Sequence, residues 1–403
     1  MSPRSILCSS VCLLLAQPLL AAQDAASQPD AFIEKLIQDS QKHRRQRALT
    51  PEDSLFQAEI ECAELAGDVS EYSHGLRLVM KGYAERGLWD EAEYLTTRMV
   101  GSGVPLGLAE LALLSAQKHR PEQAMDLVAK TRIQLGLARA RKKDIALRDC
   151  AIACLLAGKK DEAAALRAEM SSEEAWIVAA AFLDADAAGP LPEFDAAKEL
   201  VLKAAIPAHA AAKYLLSAAG AQLRAGHREA GRAFIAEAMQ MADHPKFHEA
   251  MERLLEAATL AQLHGLTEDR DRALKLFKDY AASLPAGADW KPAAHVHLAA
   301  TLLSFGQRAE AEAELKLAEE AAPKVLVVTA AEGMIEIAQL WDKLGQPDKA
   351  ADWLKKAAVV GMANTHQRAR GAAGVRICLY FAAQKLPVPE TIRQQLRQAK
   401  ERS

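Results

Sequence analysis

His244 and His248 stand one helical turn apart, a spacing that could offer two imidazoles to one metal ion. A metal site needs a third ligand, and no HExxH glutamate accompanies the pair. Solvated or capping imidazoles are therefore expected there, and no metal or cofactor. His295 and His297 are two residues apart, which puts them on different faces of a helix. Asp90-Glu91 and Asp161-Glu162 look like paired catalytic carboxylates. They are better explained as first-turn acids that complement a helix dipole. No GxSxG, P-loop or GxGxxG signature occurs, so acyl transfer and nucleotide chemistry have no positive support. No catalytic residue is assigned, and the chain reads as a non-enzyme.

Two basic stretches remain, Lys42-His43-Arg44-Arg45-Gln46-Arg47 and Arg139-Ala140-Arg141-Lys142-Lys143. Both read first as solvated helix ends, because cations suit C-terminal turns. An acidic partner is the sharper alternative. A net charge of −3 over 403 residues predicts no strong field for nucleic acid or anionic membranes. Cys150 and Cys154 lie one turn apart in an apolar run, where helix geometry disfavours a disulfide and buried thiols are expected. The pairing of Cys62 and Cys378 stays open.

What positions these residues follows from composition. Half the chain is hydrophobic, 5% is aromatic, and Ala supplies roughly a fifth of all positions. That is too apolar for disorder and too poor in β-branched and aromatic residues for an all-β fold. Ala and Leu head the helix-propensity scale, so the expected class is all-α. At the N-terminus, Arg4 precedes an apolar run from Ile6 to Leu15 and a small-residue end at Ala21-Ala22. This fits a secretory signal over residues 1–22, cut before Gln23. Its removal takes one arginine and no acid, so the net charge moves from −3 to −4. A periplasmic or secreted location is expected, with no membrane span after cleavage.

A five-residue offset from Gly to Ala recurs at Gly87–Ala92, Gly158–Ala163, Gly306–Ala311 and Gly345–Ala350, with polar residues between. Gly closes a helix at no steric cost, and the following Asp or Pro opens the next. Weaker copies end at Ala124 (where His119 stands in the place of Gly), Ala197, Ala230 and Ala273. The steps between anchors run from 32 to 43 residues, the range of paired-helix repeats. The copy from Ala294 to Pro323 has small Ala299, Gly306, Ala311 and Ala318; the next repeats Ala338, Gly345, Ala350 and Ala357. This pattern resembles the tetratricopeptide repeat, or TPR.

The resemblance implies a right-handed α-solenoid of antiparallel helix pairs. Residues 23–30 are then a disordered linker, 31–70 N-terminal capping helices, 71–362 the repeats and 363–403 C-terminal capping helices. It further implies a concave face lined by the first helix of each pair, offered to a protein or peptide. The candidate partner-binding residues are His74, Arg77, Lys81 and Glu85, with Gln339 and Asp342 toward the other end. The family's carboxylate clamp is not supported, since Asn364 is the only Asn in the chain. The competing expectation is a secreted all-α carbohydrate-active enzyme of α/α-toroid type, for which five Trp and six Tyr are a thin supply. Homo-oligomerisation also remains open.

Overall fold

A computed structural model of the chain describes residues 53–170, 208–242, 248–285, 287–324, 327–364 and 366–401. The expectations for residues 1–52, for the copy ending at Ala197, for His244 and for the His248 side chain lie outside the described residues. Among those described, every regular element is helical. In chain order the helices begin with α1 (Ser54–Glu61), α2 (Val69–Glu85), α3 (Trp89–Arg98), α4 (Gly103–Gln117), α5 (Pro121–Gln134), α6 (Ala140–Leu156) and α7 (Lys160–Ala168). There follow α8 (Ala208–Arg224), α9 (Arg228–Ala242), α10 (His248–Leu263), α11 (Thr267–Ser283), α12 (Trp290–Ser304) and α13 (Arg308–Ala321). The last are α14 (Val327–Lys343), α15 (Pro347–Met362), α16 (Gln367–Ala383) and α17 (Glu390–Glu401). Two compact units divide the chain: residues 1–164 with 354–403, and Ala165–Trp353. Within each, consecutive helices pair and stack as a helical repeat. No described helix is long and apolar enough to cross a membrane.

One turn makes these pairs. At the end of α2 the Gly87 N–H donates to Ala84 O at 3.0 Å and the Leu88 N–H donates to Tyr83 O at 2.9 Å. Gly87 sits at φ +79°, where a Cβ is strained. The same pair of bonds recurs at Gly158, Gly226, Gly265, Gly306 and Gly345, all with positive φ. Two turns do it without glycine, with His119 at φ 57° and Lys385 at φ 56°. Their following residues, Arg120 and Leu386, donate to Ser115 O and Phe381 O, each at 2.9 Å. Lys385 therefore joins α16 to α17 with the repeat's own turn, where the sequence reading has only an end cap.

The small anchors are where helices meet. Ala92, Ala124, Ala163, Ala311 and Ala350 are each 1% exposed or less. The Ala230 copy differs from expectation, while the longer Gly265 copy buries its expected anchor Ala273. Ala230 is exposed, and the residue buried at the crossing is Gly231, which restores the five-residue offset from Gly226. A Cβ on Gly231 would lie 2.4 Å from Leu223 Cγ. In the Gly265 copy the fifth residue is half-buried Arg270, which donates to Gln262 Oε1 at 2.7 Å, and the core resumes at Ala273 and Leu274. Asp90-Glu91 and Asp161-Glu162 do lie in first turns. The run Arg139–Lys143 is mostly exposed but opens α6 rather than ending a helix, so the dipole argument does not apply to it.

The first unit joins segments far apart in sequence. Helix α16 packs against α1, the 3-10 turn Cys62–Leu65 and α2. Gly371 and Gly374 permit the approach, because a Cβ on them would lie 2.9 Å from Leu65 Cδ2 and 2.8 Å from Glu61 Oε2. Ser54 Oγ donates to Leu386 O at 2.7 Å, and Arg86 Nη2 donates to Ala382 O at 2.8 Å. Helix α16, in the segment expected as C-terminal capping helices, is thus a packing partner of α1. The contact is non-local, and no short-range pattern carries it. Behind α2, the buried pair Arg98–Glu59 links α3 to α1, and Tyr83 Oη donates to Glu59 Oε2 at 3.2 Å. The second unit uses a different knot: the Trp341 and Trp353 indoles both donate to Glu319 Oε1, at 2.7 and 2.5 Å.

Candidate functional site

The candidate face starts with α2. Asp68 caps it by accepting from the Ser70 and Glu71 N–H groups at 2.9 and 3.2 Å. Its apolar side buries Tyr72, Leu76, Val79, Met80 and Tyr83. His74, Arg77, Lys81 and Glu85 are left on the more open side, His74 and Glu85 exposed and the other two half-buried. Arg77 Nη2 donates to His74 Nδ1 at 3.2 Å. Both Arg77 and Lys81 form ion pairs with Glu110 of α4, that of Arg77 at 3.8 Å.

Glu110 was not singled out from sequence, although a signal existed: it is the one charged residue in the mostly apolar α4. The next first helix, α6, adds Asp149, held by Arg148 Nη2 at 2.9 Å. Burial raises the pKa of Asp149, and the charge of Glu110 adds to the shift. His74 moves the other way. Burial lowers its pKa, and so do Arg77 and then Arg376 of α16. An arginine that donates to Nδ1 requires that nitrogen unprotonated, which agrees with the direction. Helices α16, α2, α4 and α6 thus bring His74, Arg77 and Lys81 together with partners that sequence could not pair.

Gln339 and Asp342 lie on α14 in the second unit, Gln339 exposed and Asp342 half-buried. There the neighbouring first helices carry a different motif. His297 Nδ1 on α12 lies 3.3 Å from Glu252 Oε1 on α10. The hydrogen bond to Glu252 raises its pKa, and Glu336 of α14 adds to the rise. His295 faces away, buried, with Nδ1 2.9 Å from Glu314 Oε2 of α13. The two-face expectation for this pair is met.

A cleft of about 890 Å³ opens in the first unit where α1 begins and α2 and α16 end. Its floor is apolar, with Leu55, Leu78 and Leu379, and Lys81, Glu85 and Lys385 also line it. Gly82 lets α2 approach α1 closely beside it, because a Cβ there would lie 2.5 Å from Leu55 Cδ2. Arg86 is spoken for by Asp53, whose Oδ2 lies 3.1 Å away. The four described cysteines are buried thiols. Burial pushes Cys150 up to about 12 and Cys154 up to about 11, and it raises Cys62 as well, so none of these three is a poised nucleophile. Among the described residues no cluster of three or more His, Cys, Asp or Glu could hold a metal ion.

No protein-family model matches the chain, and no curated protein does. Solved structures align to it at low similarity. A circular tandem repeat protein with novel repeat topology and enhanced subunit contact surfaces is 15% identical, with 97% of each chain covered and a TM-score of 0.22. Ton1535 from Thermococcus onnurineus NA1 is 15% identical over 84% of this chain and 95% of that one, with a TM-score of 0.23. A structure of Naa15/Naa10 bound to HypK-THB is 13% identical over 88% of this chain and 65% of that one, with a TM-score of 0.21. The helical-repeat fold rests on the chain's own hairpins.

Proposed function

We propose that this chain is an exported, non-enzymatic TPR-like scaffold that holds a protein or peptide partner on the face made by its first helices. The observation that carries the reading is the row of helices α16, α2, α4 and α6, whose polar side chains meet on one face and run down to the cleft. Repeat arrays present such extended faces to partners. The carboxylates on this face, Glu110 and Asp149, are each engaged by a cation, which suits a binding surface better than acid–base chemistry. Export is proposed from the pattern of residues 1–22, and the TPR relationship from the turn-and-crossing spacing.

Photo-crosslinking side chains placed at positions 81, 85 and 339 in the native compartment test the reading. Capture of one discrete partner is expected from these sites and not from position 122, on the exposed start of the second helix α5. Equal capture from both sets, or none from the first, overturns it. N-terminal sequencing of the exported chain should begin at Gln23.

A further inference from the structure

We infer that the cleft where α1, α2 and α16 meet is the anchoring pocket for that partner, and that it takes a peptide segment with bulky aliphatic side chains beside a single carboxylate. The inference deepens the scaffold reading and rests on it. At about 890 Å³ the cleft lies within the usual size of concave ligand sites. Half-buried Leu78 and Leu379 line it over the fully buried Leu55, and Leu386, 54% exposed, adds an unburied leucine at its edge. Apolar surface of this kind gains by covering aliphatic side chains.

The charges select what stands beside those side chains. Lys81 is committed to Glu110, and Arg86 to Asp53. Lys385 and Glu85 form no ion pair among the described residues. Lys385 is thus the cation left to receive a carboxylate, and Glu85 repels a second one, which disfavours a polyacidic segment. Lys385 also keeps a left-handed backbone, φ 56°, in a turn that glycine makes in most other hairpins. Retained strain of this sort concentrates at ligand clamps. The lining spans residues 53–88 and 379–387, so an occupant would touch both sequence-distant edges of the first unit.

The test uses the purified full chain and fluorescently labelled nonapeptides of Gly and Ser with a central Leu-Leu-Asp, Leu-Leu-Asn or Ala-Ala-Asp. Leu-Leu-Asp should bind measurably, Leu-Leu-Asn about fivefold more weakly, in line with one solvent-exposed ion pair, and Ala-Ala-Asp least of all. Lys385→Gly should raise the thermal midpoint yet weaken Leu-Leu-Asp about fivefold and leave Leu-Leu-Asn unchanged, opposite directions that a merely structural lysine would not produce. Ala383→Trp, at an exposed lining position, should block all three probes without lowering the midpoint. Absence of Leu-Leu-Asp binding, or binding indifferent to both substitutions, overturns the inference. If the crosslink at 339, which does not line the cleft, is still seen in that case, the cleft assignment alone fails; if it is absent too, the scaffold reading fails with it.

Discussion

His74 and His297 hold comparable places in the two units, each on the first helix of a hairpin and each facing a neighbouring first helix. Their surroundings drive them apart. His74 is partly buried, accepts from Arg77 and feels Arg376, so burial first and then the arginines hold its imidazole neutral to lower pH. His297 sits with Glu252 and Glu336, so its charged form is favoured. The buried glue differs as well. The first unit ties α1 to α3 with an Arg–Glu pair and tyrosine hydroxyls, whereas the second gathers two indoles on one carboxylate. The same hairpin, repeated with the same turn, therefore sets a histidine beside arginine in one unit and beside glutamate in the other.

The sharpest way to break this comparison is Arg98→Met. Arg98 and Glu59 are 9% and 3% exposed, and removal of one partner strands a buried charge at a cost of about 3–5 kcal/mol. Hydrogen exchange should show protection lost in the first unit and kept in the second. Adding Glu59→Leu should recover most of the loss; uniform loss across both units would contradict the separation.

A smaller effect tests the crossings. Ala311→Leu should overpack α12 against α13 and cost about 1–3 kcal/mol in urea unfolding. Arg270→Leu, at a copy whose fifth position is already large, should cost less. Equal costs would mean that small residues do not set the crossing. Turn chemistry comes next. His119→Gly should stabilise the first unit by about 1 kcal/mol by relieving a left-handed side chain, and Gly306→His should destabilise the second by a similar amount.

The pH response is the subtlest difference. An unfolded histidine titrates near ~6.5. His297 is raised, so its contribution is fully present below that value and is lost as pH rises through the folded pKa. His74 is lowered, so its contribution is present above that value and is lost as pH falls through the folded pKa. Imidazole NMR titration should place His297 above and His74 below the ordinary histidine value. A shared midpoint would erase the contrast.

Much of the hairpin architecture was legible because its signals are local. A glycine that ends a helix, the acid that opens the next and the alanine five residues on are set by backbone sterics within a few residues. The signals blurred where another residue could do the same work. Gly231 fills the place expected of Ala230, and Lys385 takes a glycine's conformation because the two turn bonds and the helix beyond it hold it there. For the candidate face, the spacing of His74, Arg77, Lys81 and Glu85 on one helix could be read directly. That Glu110 neutralises two of them could not, since the pair joins separate helices.

The sequence by itself determined the all-α class, the repeat and its turns, because helix propensity, left-handed glycine and close helix crossing depend on residues near one another in the chain. Only the tertiary structure decided that α16 packs on α1, that Glu110 meets Arg77 and Lys81, and that Leu55, Leu379 and Lys385 share a cleft. The Ser54–Leu386 bond spans 332 residues of sequence, and contacts at such separation follow from how many small helix crossings add together, which no local pattern encodes.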